Sequence, residues 1–317
     1  MITAILAIIS GFIALTWSAD KFVAGSAATA RNWNISPMLI GLTVVSIGTS
    51  APEILVSVIA ASQNHGDIAV GNAIGSNIAN LGLVLGITAI IAPLPVKQAI
   101  AKRELPWLAA ITLIAGGCLI NGYLGVIDSL ILLCGLVATL YLMIRWQKHH
   151  PDEPLAETDA LPELTSKAAY IQLLGGLAIL LVSSQILVWG ASRIAELLGV
   201  SELVIGLTIV AIGTSLPELA ASIMSALRQH HDIALGNVVG SNIFNLLAVL
   251  PMPGLISPGP LNESVIMRDY PVMLGLTLLV LVVAIAGGKS RQVGRFTGTI
   301  LLLSYCFYGG WLYIQNT

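Results

Sequence analysis

The chain has 317 residues, of which 56% are hydrophobic and only 9% charged, with a formal net charge of −2 and a mean hydropathy of +0.90. So few charges cannot coat a water-facing surface, and the apolar content exceeds what a globular core uses, so a soluble domain is excluded. The chain is an integral membrane protein whose first partner is the lipid bilayer, and no nucleic-acid or obligate protein partner is expected.

At about 20 residues per span, the apolar runs read as about ten transmembrane helices, near 3–30, 36–62, 68–92, 104–121, 124–146, 170–198, 201–227, 233–256, 270–287 and 295–314. They lack the alternation of barrel strands, so the fold class is all-α. The first run has no basic segment before it and continues through Asp20-Lys21, beyond the length of a signal peptide, so it reads as the first span. Between the fifth and sixth runs the apolar pattern stops at 147–168, where proline and charge concentrate. This segment reads as a linker, leaving a five-helix unit at 1–146 and another at 169–317.

The two units carry the same sequence. Gly41-Leu-Thr-Val-Val-Ser-Ile-Gly-Thr-Ser-Ala-Pro-Glu53 recurs as Gly206-Leu-Thr-Ile-Val-Ala-Ile-Gly-Thr-Ser-Leu-Pro-Glu218, and Asp67-Ile-Ala-Val-Gly-Asn-Ala-Ile-Gly-Ser-Asn-Ile-Ala-Asn80 recurs as Asp232 to Asn245. Both matches hold at one offset of 165 residues (218 − 53), without a gap, as does Arg103-Glu-Leu-Pro against Arg268-Asp-Tyr-Pro. Half of the chain has been duplicated. Five spans per half is an odd number, so the second copy enters the membrane in the opposite sense, as an inverted-topology repeat.

Lysine and arginine placement sets the orientation. With both termini outside, Arg31, Lys97, Lys102, Arg103, Arg145, Lys148, Lys167, Arg228, Lys289, Arg291 and Arg295 lie inside, and only Arg193 and Arg268 outside. The positive-inside rule therefore predicts a plasma (inner) membrane protein with both termini outside and a cytoplasmic linker.

The chemistry is concentrated in the second and seventh spans. In each, Gly-Thr-Ser-x-Pro puts a weak helix former, two hydroxyls and a residue lacking an N–H before the glutamate, a pattern that breaks a helix and frees backbone carbonyls. Carbonyls, the hydroxyls of Thr49, Ser50, Thr214 and Ser215, and the carboxylates of Glu53 and Glu218 are all oxygen donors, the preference of hard cations such as Na⁺ and Ca²⁺. A lone charge at the bilayer centre costs about 2.5–3.5 kcal/mol on insertion scales. A protonated glutamate bonded to a neighbouring helix would also survive there, but it would not explain why the break, hydroxyls and carboxylate recur together. The third and eighth spans add stripes of neutral donors at i, i+4, i+8: Asn72, Ser76 and Asn80, then Asn237, Ser241 and Asn245.

These paired Gly-Thr-Ser-x-Pro-Glu and Gly-Asn-x-x-Gly-Ser-Asn-Ile motifs resemble the two α-repeats of the calcium/cation antiporter superfamily, most closely its prokaryotic sodium/calcium exchangers. The α-repeats fall at 36–92 and 201–256. The resemblance implies about ten helices in two inverted five-helix repeats, and a secondary antiporter in which inward Na⁺ drives Ca²⁺ outward by alternating access. It implies Glu53 and Glu218 as shared Na⁺/Ca²⁺ ligands, with Thr49, Ser50, Thr214, Ser215, Ser76 and Ser241 lining flanking sodium sites. It further implies the backbone carbonyls of Ser46 and Ala211 as ligands, and Asn80 and Asn245 at the centre. Some relatives carry aspartate at the Asn245 position, so its amide leans towards K⁺-independent exchange. The linker is too short for the family's regulatory calcium-binding domains.

Rival functions remain open at this level. A proton/calcium or other divalent-cation antiporter, or a K⁺-dependent exchanger, would use the same glutamates. A channel would need an open pore. An enzyme is disfavoured because all five histidines, His65, His149, His150, His230 and His231, fall in predicted loops. No cofactor is expected beyond the transported ions. Cys118, Cys134 and Cys306 are scattered and read as packing residues. Asp20, which aligns with Gln185, reads as a partner of Lys21 near an interface; Asp67 and Asp232 read as helix caps; and Arg103-Glu104 and Arg268-Asp269 read as interfacial anchors.

Overall fold

A computed structural model describes residues 1–149, 162–200, 205, 209–288 and 291–316. The chain runs through α1 (Ile2–Trp33), α2 (Pro37–Thr49), α3 (Ala51–Ser62), α4 (Gly66–Ile91), α5 (residues 100–119) and α6 (Val126–His149). The second half follows with α7 (Ser166–Leu197), α8 (residues 209–214), α9 (Leu216–Leu227), α10 (His231–Ile256), α11 (Val265–Ala286) and α12 (Arg295–Asn316). The helices on either side of the linker reach further into it than the apolar pattern predicts. Its acidic residues Asp152, Glu153, Glu157 and Asp159 lie outside the described residues.

Among the described residues six helices are long and apolar enough to span a bilayer unbroken, and α2 with α3 makes a seventh, bent by 43°. The remaining segments carry features that weaken the hydropathy signal. Lys102, Arg103 and Glu104 open α5; α9 is a twelve-residue half-helix; and α12 is rich in tyrosine, tryptophan and glycine.

Punctuation is duplicated along with the helices. Asn34 (φ 54°) ends α1 in the left-handed region, and its counterpart Gly199 (φ 82°) follows α7; Asn64 (φ 61°) and Gln229 (φ 63°) do the same after α3 and α9. The Ser36 hydroxyl accepts the Leu39 N–H at 3.2 Å and Pro37 follows it, which starts α2. Stretches of π-helix at Asn80–Leu85 and Asn245–Val249 interrupt α4 and α10 at matching positions.

Four two-residue strands establish the inversion. β1 (Leu94–Pro95), after α4, pairs antiparallel with β4 (Gln292–Val293), between α11 and α12; β2 (Tyr123–Leu124), after α5, pairs with β3 (Gly259–Pro260), after α10. One crossing separates β1 from β2, and one separates β3 from β4. The two pairings therefore put β1 and its counterpart β3 on opposite faces of the membrane. Arg31 at the end of α1 bonds Glu163 at 2.6 Å, and Trp33 donates to the Tyr170 hydroxyl at 2.8 Å, so α1 ends on the linker face with β1 and β4.

Helices α1 and α7 cross the membrane as a close antiparallel pair. Gly11, Gly25, Gly176 and Gly190, two duplicated pairs, let the backbones touch: a Cβ on Gly176 would lie 2.6 Å from the Phe22 nitrogen, and one on Gly190 2.9 Å from the Ala4 carbonyl. The pair leans unevenly on the rest. Leu15, Ala19 and Phe22 of α1 join Ile40 and Val45 of α2 and Ala221 of α9 in a buried cluster on the linker side. Helix α1 packs along α9, whereas α7 makes no comparable contact with the counterpart of α9, which is α3. Val56 of α3, the counterpart of buried Ala221, is accordingly 38% exposed.

Candidate ion-binding site

The two broken helices meet at mid-membrane. Helix α2 stays helical through Thr49, Ser50 departs from it (φ −85°, ψ 5°), and Pro52 restarts the helix as α3; Ser215 (φ −87°, ψ 2°) and Pro217 do the same between α8 and α9. The prolines have no N–H to donate to Gly48 and Gly213, four residues earlier. Each break places its glutamate in the first turn of the following half-helix, where the helix dipole favours negative charge.

The breaks are not alike in detail. The Ser46 carbonyl accepts the Ser50 N–H at 2.9 Å, so the break does not leave it without a partner. In the second repeat the Ser215 N–H turns to the Ile212 carbonyl at 3.1 Å, rather than to Ala211. The chain tightens into a 3₁₀ turn there.

Burial is nearly complete around the glutamates. Glu53 and Glu218 are each 1% exposed. Ser46, Thr49, Ser50, Ser76, Asn80, Ser215, Ser241 and Asn245 are also buried, and Thr214 is half-buried. The Ser50 hydroxyl donates to Glu218 at 3.2 Å, bridging the repeats, and Thr49 faces the same carboxylate. Neither glutamate forms an ion pair among the described residues.

Several buried oxygens here have no hydrogen-bond partner: Glu53 Oε2, Glu218 Oε2, Asn80 Oδ1, Asn245 Oδ1 and Ser241 Oγ. A buried acceptor without a partner is costly, and a buried charge more so. Two carboxylates and neutral oxygens drawn from both repeats fit dehydrated cations of the alkali or alkaline-earth type, which take oxygen ligands in flexible geometry.

A second tier of residues was not among the predicted ligands. The Asn72 amide donates to the Glu53 carbonyl at 3.0 Å and to Ser57 Oγ at 3.1 Å. Asn237 repeats this with the Glu218 carbonyl at 3.2 Å and Ser222 Oγ at 2.9 Å. Asn237 Oδ1 also accepts the Thr49 hydroxyl at 3.2 Å. Each asparagine thus ties α4 or α10 to the half-helix carrying its own repeat's glutamate, and Asn237 reaches the other repeat. The available signals were the place of Asn72 and Asn237 in the repeated polar stripes and the recurrence of Ser57 and Ser222 at the same offset. Asn77 and Asn242 turn elsewhere, donating to the Met273 sulfur at 3.5 Å and to the Val238 carbonyl at 2.7 Å.

Other sequence expectations are corrected by the packing. Asp20 bonds Arg228 with an Nε–Oδ1 distance of 2.6 Å and lies 3.9 Å from Lys21, so its nearer partner is on another helix. Asp67 and Asp232 sit inside the first turn after His65 and His230 rather than capping it, and Asp232 pairs with Lys97 at 2.7 Å. Asp269, 8% exposed, is gripped by Arg268 at 2.6 Å and by the Tyr308 hydroxyl at 2.9 Å, which ties this segment to α12.

The model of the family described as sodium/calcium exchanger protein matches residues 3–145 and 168–314, nearly the whole of both repeats. The chain belongs to the sodium/calcium exchanger family. A member from Alkalimonas amylolytica named CaxA is 47% identical over 97% of this chain and 98% of its own. The sodium/calcium exchanger MaX1 of Methanosarcina acetivorans is 31% identical over 95% of each chain. Among solved structures, the sodium-calcium exchanger NCX_Mj soaked with Na⁺ and Ca²⁺ superposes with a TM-score of 0.82 at 35% identity, covering 97% of each chain. As a member of this family the protein is an antiporter with the ten-helix inverted-repeat fold, and it spans the membrane several times.

Proposed function

We propose that this protein exchanges Na⁺ for Ca²⁺ across the inner membrane by alternating access, with both termini outside and the linker in the cytoplasm. The observation that carries the reading is the pair of enclosed carboxylates, Glu53 and Glu218, with the partnerless oxygens of Asn80, Asn245 and Ser241 on helices packed against the half-helices that carry them. Two carboxylates supply a charge of −2, which one Ca²⁺ or two Na⁺ neutralise. The ions compete because either occupant satisfies the same buried charge, and an empty site leaves it exposed to the cost of burial. Thr49, Ser50, Thr214, Ser215, Ser76 and the Ser46 and Ala211 carbonyls complete the proposed ligand set.

The test is transport by purified protein in vesicles loaded with Na⁺ and diluted into Na⁺-free medium. ⁴⁵Ca²⁺ uptake that requires the Na⁺ gradient and is abolished by monensin supports sodium/calcium exchange. Uptake driven only by a pH gradient overturns it in favour of proton/calcium exchange at the same carboxylates.

A further inference from the structure

The two halves of the chain repeat one sequence, yet one turn is held by ion pairs and its mirror image, between α3 and α4, by the Ser257 hydroxyl donating to Asn64 Oδ1 at 3.4 Å. The α9–α10 turn lies on the linker face. Arg228, which closes α9, bonds Asp20 of α1, and Asp232, which opens α10, bonds Lys97 beside β1. The turn is therefore held from both sides. At the mirror position between α3 and α4, Arg228 is replaced by Gln63 and its partner Asp20 by Gln185 on α7. Lys97 is replaced there by Asn262, whose Oδ1 is occupied by the Ser264 N–H at 3.0 Å and hydroxyl at 2.8 Å.

We propose that Asp20 and Arg228 form a latch that holds the α1–α7 pair against α9 and keeps the linker face closed, so the protein rests open towards its termini. The contact crosses the seam between the α1–α7 pair and the rest of the fold, on the side where that seam is packed. The mirror seam between α7 and α3 has a glutamine at each corresponding position and is less closely packed. Lys21 is the other charged group near Asp20, and Lys97 fastens the far side of the same turn. The Asp20 and Arg228 side chains are 26% and 40% exposed, which limits the pair to a modest bias. A modest bias suffices to set which of two nearly equivalent states is populated.

The inference concerns which face is open and not which ion is carried, so it stands or falls separately from Na⁺/Ca²⁺ exchange. The experiment needs no ion gradient. Two reporter cysteines, Ala27→Cys on α1 and its counterpart Ser192→Cys on α7, are placed one at a time in protein whose Cys118, Cys134 and Cys306 have been replaced. Maleimide labelling rates are then measured in detergent. The expected result is that Asp20→Asn with Arg228→Gln raises labelling at position 27 about three- to tenfold and lowers it at position 192. The exchanged pair Asp20→Arg with Arg228→Asp returns both rates to their starting values. Adding Gln63→Arg with Gln185→Asp to the neutralised protein slows labelling at 192. Unchanged rates in the neutralised protein overturn the proposal, as does a rise at both reporters, which signals general loosening.

Discussion

At the residue scale, the site consists of buried oxygens whose partners can be counted. Glu53 and Glu218 keep one carboxylate oxygen each without a protein partner, so replacing either oxygen by an amide nitrogen removes charge without removing a structural bond. Glu53→Gln and Glu218→Gln are expected to abolish ⁴⁵Ca²⁺ flux while leaving the elution profile and helical circular dichroism unchanged; wild-type flux in either variant would remove that residue from the site. The asparagines differ, because their amides hold backbone. Asn237→Ala severs bonds to the Glu218 carbonyl, Ser222 and Thr49. At about 1 kcal/mol per net bond, the loss should raise half-saturating Ca²⁺ by about tenfold or more. Competition of Ca²⁺ with Na⁺ in the flux assay measures it. The glutamates were legible in the sequence because a carboxylate inside an apolar run is conspicuous. Asn237 was legible only as part of a polar stripe, since its role depends on where the opposite repeat places Thr49.

At the element scale, the decisive devices are breaks and close crossings. Pro217→Ala restores an N–H four residues after Gly213 and lets α8 run into α9 as one helix. The expected outcome is thermal stability equal to or above wild type, with flux lowered at least about tenfold; undiminished flux would show that the break is dispensable. The α1–α7 crossing makes the reverse prediction. Its glycines admit backbone contact, so Gly176→Leu forces the helices apart at a cost of about 1–3 kcal/mol from overpacking. A fall in melting temperature together with reduced flux is expected, and an unshifted melting curve would contradict the close backbone contact of the pair. The breaks were readable from Gly-Thr-Ser-x-Pro. The differing hydrogen bonds at Ser46 and Ala211 were not, because both breaks have nearly the same residues and only their surroundings differ.

At the scale of the whole molecule, inversion decides which loops can meet. The pairings of β1 with β4 and β2 with β3 require corresponding loops to lie on opposite faces. Together with the lysine and arginine distribution this gives a topological prediction. In intact cells with native cysteines replaced, a cysteine at Ile2 or Gln315 should react with a membrane-impermeant maleimide, and one at Gln98 should not. The opposite pattern would reverse the orientation while leaving the fold untouched.

The sequence by itself determined the membrane class, the duplication, the opposite sense of the two halves and the identity of the paired glutamates. Each of these depends on composition, on counting spans or on repetition, which are properties of the chain alone. Only the tertiary structure decided that Ser50 reaches Glu218, that Asn237 bridges to Thr49 and that Asp20 meets Arg228 rather than Lys21 alone. The physical reason lies in the duplication itself. A repeated sequence specifies two equivalent halves, whereas the working conformation favours one of two mirror-related packings. That choice is made by contacts between segments more than 160 residues apart.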